Sequence, residues 1–508
     1  MATRLFSRTF LLLIPLIFPA TLSFAQETGK TMIRYSGDTW EFNKDIWADG
    51  PRLLGNVVMN HDSAFLYCDS ARVNEAGNSL TAYSRVRIQL SDTLNLYSDS
   101  LRYDGNSRVA IAYSNVKLVD NQTVLTTDTL TYDRNTRIAR YDCWGKIVND
   151  KNFLVSRFGY YYTDNKEFFF KEKVLLKNPR YNMRSDTLKY NTVTEIAYFF
   201  GPSHIVSNDR KDSIYCENGW YDTRRDVSRF RKNARIYHED TFLTGDSMYY
   251  ERLEGFGQVF RNAVILDTAR DILLTGNYGE LIRKKGFAFM TDSAVAILAD
   301  KADSLFLHAD TVSADFDTAG NIRNLHGFRK VRFYRHDLQG VCDSLAFTGA
   351  DSTVVMHHDP VIWSDSSQLS ADSIFLVMAN GQADSLKLYG SAFIISRDDT
   401  ASFNQVKGRT VLAKFREGDL YKINVIGNAQ TVYFTREEDR TLIGINMAVS
   451  SEMLIFLEKN QMKSITYIGN PDAHLYPEAS VSPQERKLKN FRWEEERRPM
   501  DKADIFRD

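Results

Sequence analysis

Apolar and polar residues alternate with a period of two along most of this chain. Leu101 and Tyr103 share one face with Arg102 opposite, and Val116 and Leu118 do the same around Lys117. Val86, Ile88 and Leu90 alternate with Arg87 and Gln89. Successive strand side chains point to opposite faces, so this pattern predicts strands with one apolar and one wet face. Val, Ile, Thr, Tyr and Phe dominate these runs, as β-structure prefers. No helical i, i+3, i+4 spacing is sustained. Asp, Asn, Ser and Gly separate the runs and favour turns.

The alternation is organised into a repeat of about thirty residues. One half is an Asp-Ser or Asp-Thr pair, an apolar residue, any residue and an aromatic. It reads Asp99-Ser100-Leu101-Arg102-Tyr103, Asp128-Thr129-Leu130-Thr131-Tyr132, Asp186-Thr187-Leu188-Lys189-Tyr190 and Asp246-Ser247-Met248-Tyr249-Tyr250. Later copies are Asp343-Ser344-Leu345-Ala346-Phe347 and Asp372-Ser373-Ile374-Phe375-Leu376. The other half is a small or aromatic residue, often Asn, then an apolar alternation, as in Gly55-Asn56-Val57-Val58-Met59 and Tyr113-Ser114-Asn115-Val116-Lys117-Leu118. Each repeat is expected to hold roughly three short strands, with the Asp-Ser pairs at the turns. The predicted fold is all-β: an elongated stack of antiparallel strands, about thirteen repeats, each leaning on its neighbours because one alone cannot bury its apolar face.

Arg4 and Arg8, the apolar run from Phe10 to Ala20, and Ser23-Phe24-Ala25 read as a secretory signal peptide over residues 1–25. A first stack is expected over 26–280 and a second over 281–477. Their junction falls near 281–300, where extra copies appear at Asp292-Ser293 and Asp303-Ser304-Leu305. Residues 478–508 are a charged tail, either a flexible terminus or a docking segment around Phe491-Arg492-Trp493. Cys68, Cys143, Cys216 and Cys342 would fall in distant repeats, beyond the roughly 7 Å Cα separation a disulfide spans, so free and mostly buried thiols are expected.

Of the 508 residues 43% are hydrophobic, which excludes a disordered chain. With 64 basic and 65 acidic residues there is no general electrostatic drive toward nucleic acid. No second apolar stretch is long enough for a transmembrane helix in the mature chain. Phosphate-loop, HExxH and GxSxG motifs are absent from the sequence. His357-His358-Asp359 is discounted as a metal site, because adjacent strand residues diverge. No enzyme, cofactor or metal is expected.

The signal peptide, Gly55-Asn56-Val57 and the Asp-Ser/Thr-Leu-x-Tyr units together resemble the OstA-like family over roughly residues 30–470. That family includes the periplasmic bridge proteins of lipopolysaccharide transport and the N-terminal periplasmic part of the outer-membrane translocon. The resemblance implies a V-shaped or jelly-roll-like open β-structure whose apolar interior holds acyl chains. It also implies joining to other transport-system proteins by edge-strand pairing. This chain is much longer than one bridge subunit, and it lacks a long C-terminal set of amphipathic membrane strands.

Under this reading the chain is a periplasmic lipopolysaccharide carrier, and association with the outer membrane is the further location the reading allows. Val86, Ile88, Leu101, Tyr103, Val116, Leu118, Leu130 and Tyr132 would line its groove. A rival from another class is a structural or adhesive cell-surface β-solenoid with a filled core. A third, a carbohydrate-active β-helix, would need a carboxylate cluster on one exposed face, whereas the aspartates here are expected to follow the turns.

Overall fold

The computed structural model describes residues 31–46, 48–269, 271–299, 304–317, 322–379, 382–416, 419–437, 439–458 and 461–507. The signal-peptide segment and Asp303 lie outside the described residues. Contacts divide the chain into two compact units: one running to Val116 with Thr131–Thr136, the other holding Lys117–Leu130 and everything from Arg137. No α-helix occurs among the described residues, and every strand pairing is antiparallel. No helix among them is long and apolar enough to cross a membrane, which says nothing of strands.

The repeat is built from two long strands, where three short ones were expected. Ser79–Gln89 and Leu94–Asp104 are typical, at 11 residues each. What looked like an extra boundary is a mid-strand bend. In Ser79–Gln89 the register slips between Tyr83 and Val86, and the two residues between, Ser84 and Arg85, are both left-handed at φ 65° and 47°. Such a bulge bends the strand sharply. The same pair recurs at Gly55-Asn56, Ser114-Asn115, Glu172-Lys173, Lys232-Asn233, Arg261-Asn262, Asp292-Ser293, Arg329-Lys330, Gly390-Ser391 and Gly427-Asn428. Each bent strand has two arms meeting at this corner. Arm I carries segments such as Val86–Gln89, and arm II segments such as Leu101–Asp104.

The Asp-Ser pairs therefore do not make the hairpin turns. Their aspartates sit mid-strand and hold the corner of the next strand. Asp99 accepts from Asn115 Nδ2 at 2.7 Å, Asp69 from Ser84 Oγ at 2.5 Å and Arg85 at 2.6 Å, and Asp246 from Asn262 at 3.1 Å. The hairpin turns use the residue after the aromatic: Asp104 accepts the backbone N–H groups of Asn106 and Ser107, both at 2.9 Å. Local side-chain-to-backbone bonding serves bends and turns alike, which is why the sequence pattern confuses them.

The residue before the corner acid is small and often donates to the carbonyl two residues on. Ser98 and Ser185 do so through hydroxyls, Cys68 and Cys342 through thiols at 3.2 and 3.3 Å. Cys216 occupies the same place before Glu217. All four cysteines are free, and Cys68, Cys216 and Cys342 are buried.

Pairing continues through the expected junction: Ile272–Ile282, Phe287–Ala299 and Ser304–Phe316 form one unbroken ladder. The charged tail also differs from a free terminus. In the last repeats the outward face of arm I is apolar, with Val361, Trp363, Val432 and Phe434 buried on it. The tail covers it. Val481 packs against Val432, Phe434 and Ile445. Gln405 donates to Arg486 O and Gln368 to Arg492 O, both at 2.7 Å, and Phe491 and Trp493 sit 5.4 and 5.1 Å from Phe403.

A left-handed L-residue costs about 1–2 kcal/mol, least for Asn and Gly. Asn115→Val should therefore lower the stability of its unit by about 1–2 kcal/mol. Exposed Lys173, at φ 54°, should behave oppositely: Lys173→Gly relieves the corner and raises stability by up to about 1 kcal/mol after the entropy of glycine is counted. Urea-unfolding midpoints of the two variants test both signs.

Candidate functional site

The corners turn the apolar faces of the two arms toward each other. The eight sequence-predicted interior residues divide evenly: Val86, Ile88, Val116 and Leu118 on arm I, and Leu101, Tyr103, Leu130 and Tyr132 on arm II. All are buried, none more than 4% exposed. They alternate along their strands with more exposed residues, so all eight lie on the covered face of the sheet.

Strand register links arm I residues into a continuous apolar row. In the first unit it runs Met59, Leu66, Ile88, Leu96. In the second it runs from Leu125 through Ile147, Leu154, Leu176, Met183, Ile205 and onward to Leu274, Ala296, Leu307 and Phe333. It continues through Ile362, Leu369, Ile394 and Val406.

The arm tips carry the features that sequence reasoning missed. In the first unit His61 of arm I bonds Tyr103 Oη of arm II at 2.7 Å, Arg134 donates to His61 O at 3.2 Å, and Arg108 pairs with Asp62 at 3.1 Å. In the second unit the Tyr161 hydroxyl and Lys166 ammonium both bond buried Asp120 at 2.6 Å, and Asn152 bonds Tyr190 Oη at 3.0 Å. Farther along, Arg180 bonds Asp226 and Thr223 O, Tyr181 bonds Asp226, and Arg252 bonds Asp212 at 2.6 Å. These ties cross from one arm to the other and shut the interior. Burial pushes the Asp226 carboxyl up despite Arg180 and Arg252. Burial also pushes Asp212 upward, but bonds from His238 and Arg252 outweigh it and hold that carboxyl below its usual range.

The sequence signal for the ties is the last residue of the Asp-Ser-Leu-x-Tyr unit. In Tyr103 and Tyr190 its hydroxyl reaches the opposite arm. Copies ending in Phe347 and Leu376 have no hydroxyl there, and both residues are partly exposed. Interior-facing Leu298, Leu305, Val354, Ile394, Val406 and Phe415 are partly exposed as well. Partly exposed interior-facing residues are thus found in the later repeats of the second unit, beside buried ones such as Met356, Ile374 and Val411. A cavity of about 450 Å³ opens between the arm tips, lined by Ile265, Ile272, Leu274, Leu281 and Ala288, with Arg283, Lys284, Lys285 and Arg323 also around it.

Among the described residues no group of three or more His, Cys, Asp or Glu is placed to hold a metal ion. The His357 and His358 rings lie 6.2 Å apart, and His357 bonds Ser373 Oγ. Asn121 of Asn121-Gln122-Thr123 sits left-handed in a hairpin turn at φ 52°.

The fold and its interior define a bent-strand β-stack with a continuous apolar inner row. Residues 30–186 match the model of a family described as OstA-like protein. Among solved structures the chain is similar to LptH, the LptA-homologous periplasmic component of the lipopolysaccharide transport device of Pseudomonas aeruginosa. The identity is 14%, 28% of this chain and 95% of that chain are covered, and the TM-score is 0.21, a likeness too loose to bear on function. Curated proteins offer no match.

Burial raises the thiol of Cys216 to about 12; it sits at the corner of the strand whose arm tip carries Asp212, bonded by Arg252. Arg252→Met should loosen that tie and speed Cys216 labelling by a thiol reagent about tenfold, equivalent to about 1.4 kcal/mol of local opening. Arg225→Met, which removes the pair between exposed Arg225 and buried Asp222, a pair within arm II that crosses to no other arm, should leave the rate unchanged.

Proposed function

We propose that this protein is a non-enzymatic periplasmic carrier that shields the acyl chains of lipopolysaccharide on their way to the outer membrane. The observation that carries this reading is the register-linked apolar row along arm I, joined to inner residues that are partly exposed in the later repeats. A lipid with several acyl chains buries dozens of methylenes at about 0.8 kcal/mol each, so tens of kcal/mol oppose its passage through water. A one-sided strand stack lowers that cost along its whole inner face. The OstA-like match over residues 30–186 supports the same assignment. No site for nucleotide chemistry is part of the proposal, so directional movement falls to partners that add to the terminal edge strands by β-pairing.

The filled interior around Val86 and Leu101 favours a second reading, a structural β-solenoid in which the apolar row is simply a core. The two readings part on one experiment. A photocrosslinking residue is placed at inward Val116, Leu130 or Leu376 and at outward Lys117 in the full-length chain in cells. Carriage predicts lipopolysaccharide adducts from the inward positions alone. Equal labelling from Lys117, or none from any inward position, leaves the structural reading.

A further inference from the structure

The geometry points to the cavity between the arm tips at residues 265–288 as a port: the place where an acyl chain of a phosphate-bearing amphiphile enters the interior. This rests on the carriage reading and adds where loading occurs and what head group is recognised.

Three observations converge there. On one side the arms are tied, ending with Arg252 on Asp212 at 2.6 Å, and the next cross-arm pair, Arg283 with Glu239, has lengthened to 3.9 Å. On the other side, interior Leu298 and Leu305 are partly exposed. Between them the cavity of about 450 Å³ has an apolar floor of Ile265, Ile272, Leu274, Leu281 and Ala288. This is a size typical of small-ligand clefts, about 300–1,000 Å³.

The rim decides the head group. Arg283, Lys284 and Lys285 form a short 3-10 turn, closed by left-handed Gly286 at φ 59°, where a Cβ would lie 2.6 Å from Phe316 O. Arg323 joins them, against Asp267 and Asp317. Lys284 is held by Glu254 at 2.8 Å. Four cations and two acids line the cavity around its apolar floor; Glu239 and Glu254, outside the lining, pair with Arg283 and Lys284, and an anionic head on a hydrocarbon tail would compete with them for those cations. Phosphate suits guanidinium and ammonium groups gathered on one turn.

The test uses full-length protein, isothermal titration, and two probes below their micelle-forming concentrations: dodecyl phosphate and dodecyl maltoside, which share a tail and differ in charge. Leu274→Trp fills the floor and should weaken both probes at least tenfold. Thr241→Trp blocks the edge without entering the core, and should do the same if Leu274→Trp does not fold. Lys284→Glu combined with Lys285→Glu should weaken dodecyl phosphate about tenfold and leave dodecyl maltoside within about twofold. Dodecyl phosphate binding that is unchanged by both tryptophans overturns the port, as does equal loss of the two probes in the double glutamate variant. The two readings fail separately. Lipopolysaccharide adducts from Val116 and Leu130 that persist in the tryptophan variants would leave carriage standing without this port. Probe binding that responds as expected, with no adduct from any inward position, would leave an amphiphile site and remove carriage.

Discussion

The rest of this structure depends on one backbone constraint: a strand must fold over its own apolar face. An extended strand has no means of doing so, and neighbouring strands continue its sheet instead of covering it. The solution is two consecutive left-handed residues at the middle of most alternate strands, with Gly201 alone serving in Ile196–Ser207, costing about 1–2 kcal/mol per L-residue. Two things offset this strain. Burial of the inner residues contributes about 25 cal/mol per Å², and an acid on the preceding strand bonds the bent residues, as Asp99 does Asn115 and Asp69 does Arg85. Without the corner there are no facing arms, no inner row, and no arm tips near enough to bond.

Once the arms face each other, the chemistry of their tips sets access to the interior. A hydroxyl at the end of arm II is long enough to reach a carboxylate, histidine or amide on arm I, and a buried tyrosine needs such a partner. Tyr103, Tyr161 and Tyr190 each find one. Phenylalanine or leucine at the same place has nothing to offer across the gap, and Phe347 and Leu376 remain partly exposed. One position in the repeat therefore sets whether a copy can make this tie, without any change in backbone design.

Much of this was legible in the sequence, for identifiable reasons. The period of two and the thirty-residue repeat depend on side-chain alternation alone, so the all-β stack could be read directly, and Val86, Leu101 and Tyr132 are buried in it. The corner could not. An Asp-Ser pair flanked by alternation on both sides looks the same whether the chain reverses there or only bends, and only the pairing register distinguishes them. The ties were hidden for a different reason: His61 and Arg134 are far apart in sequence, and nothing local marks them as partners. Whether the tail was a flexible terminus or a docking segment could not be read, because its charge suggests solvent, while the apolar outward residues Val361, Trp363 and Phe434 are spread over two strands far apart in sequence.

The closed interior of the earlier repeats does not by itself argue against a lipid cargo. Replacing contacts between Ile88, Leu101 and their neighbours by contacts with an acyl chain exchanges one apolar surface for another, with little net change in the free energy of transfer. The larger barrier is at the tips. Parting the arms strips Asp120 from Tyr161 and Lys166, and Asp212 from Arg252. Each broken buried pair leaves a charge uncompensated until water or another polar group replaces the partner. Resistance to opening is therefore polar and localised, while accommodation of the chain is apolar and spread along the row. On the carriage proposal, a ligand whose own anionic head supplies replacement partners for the freed arginines and lysines would meet the least resistance at these tips.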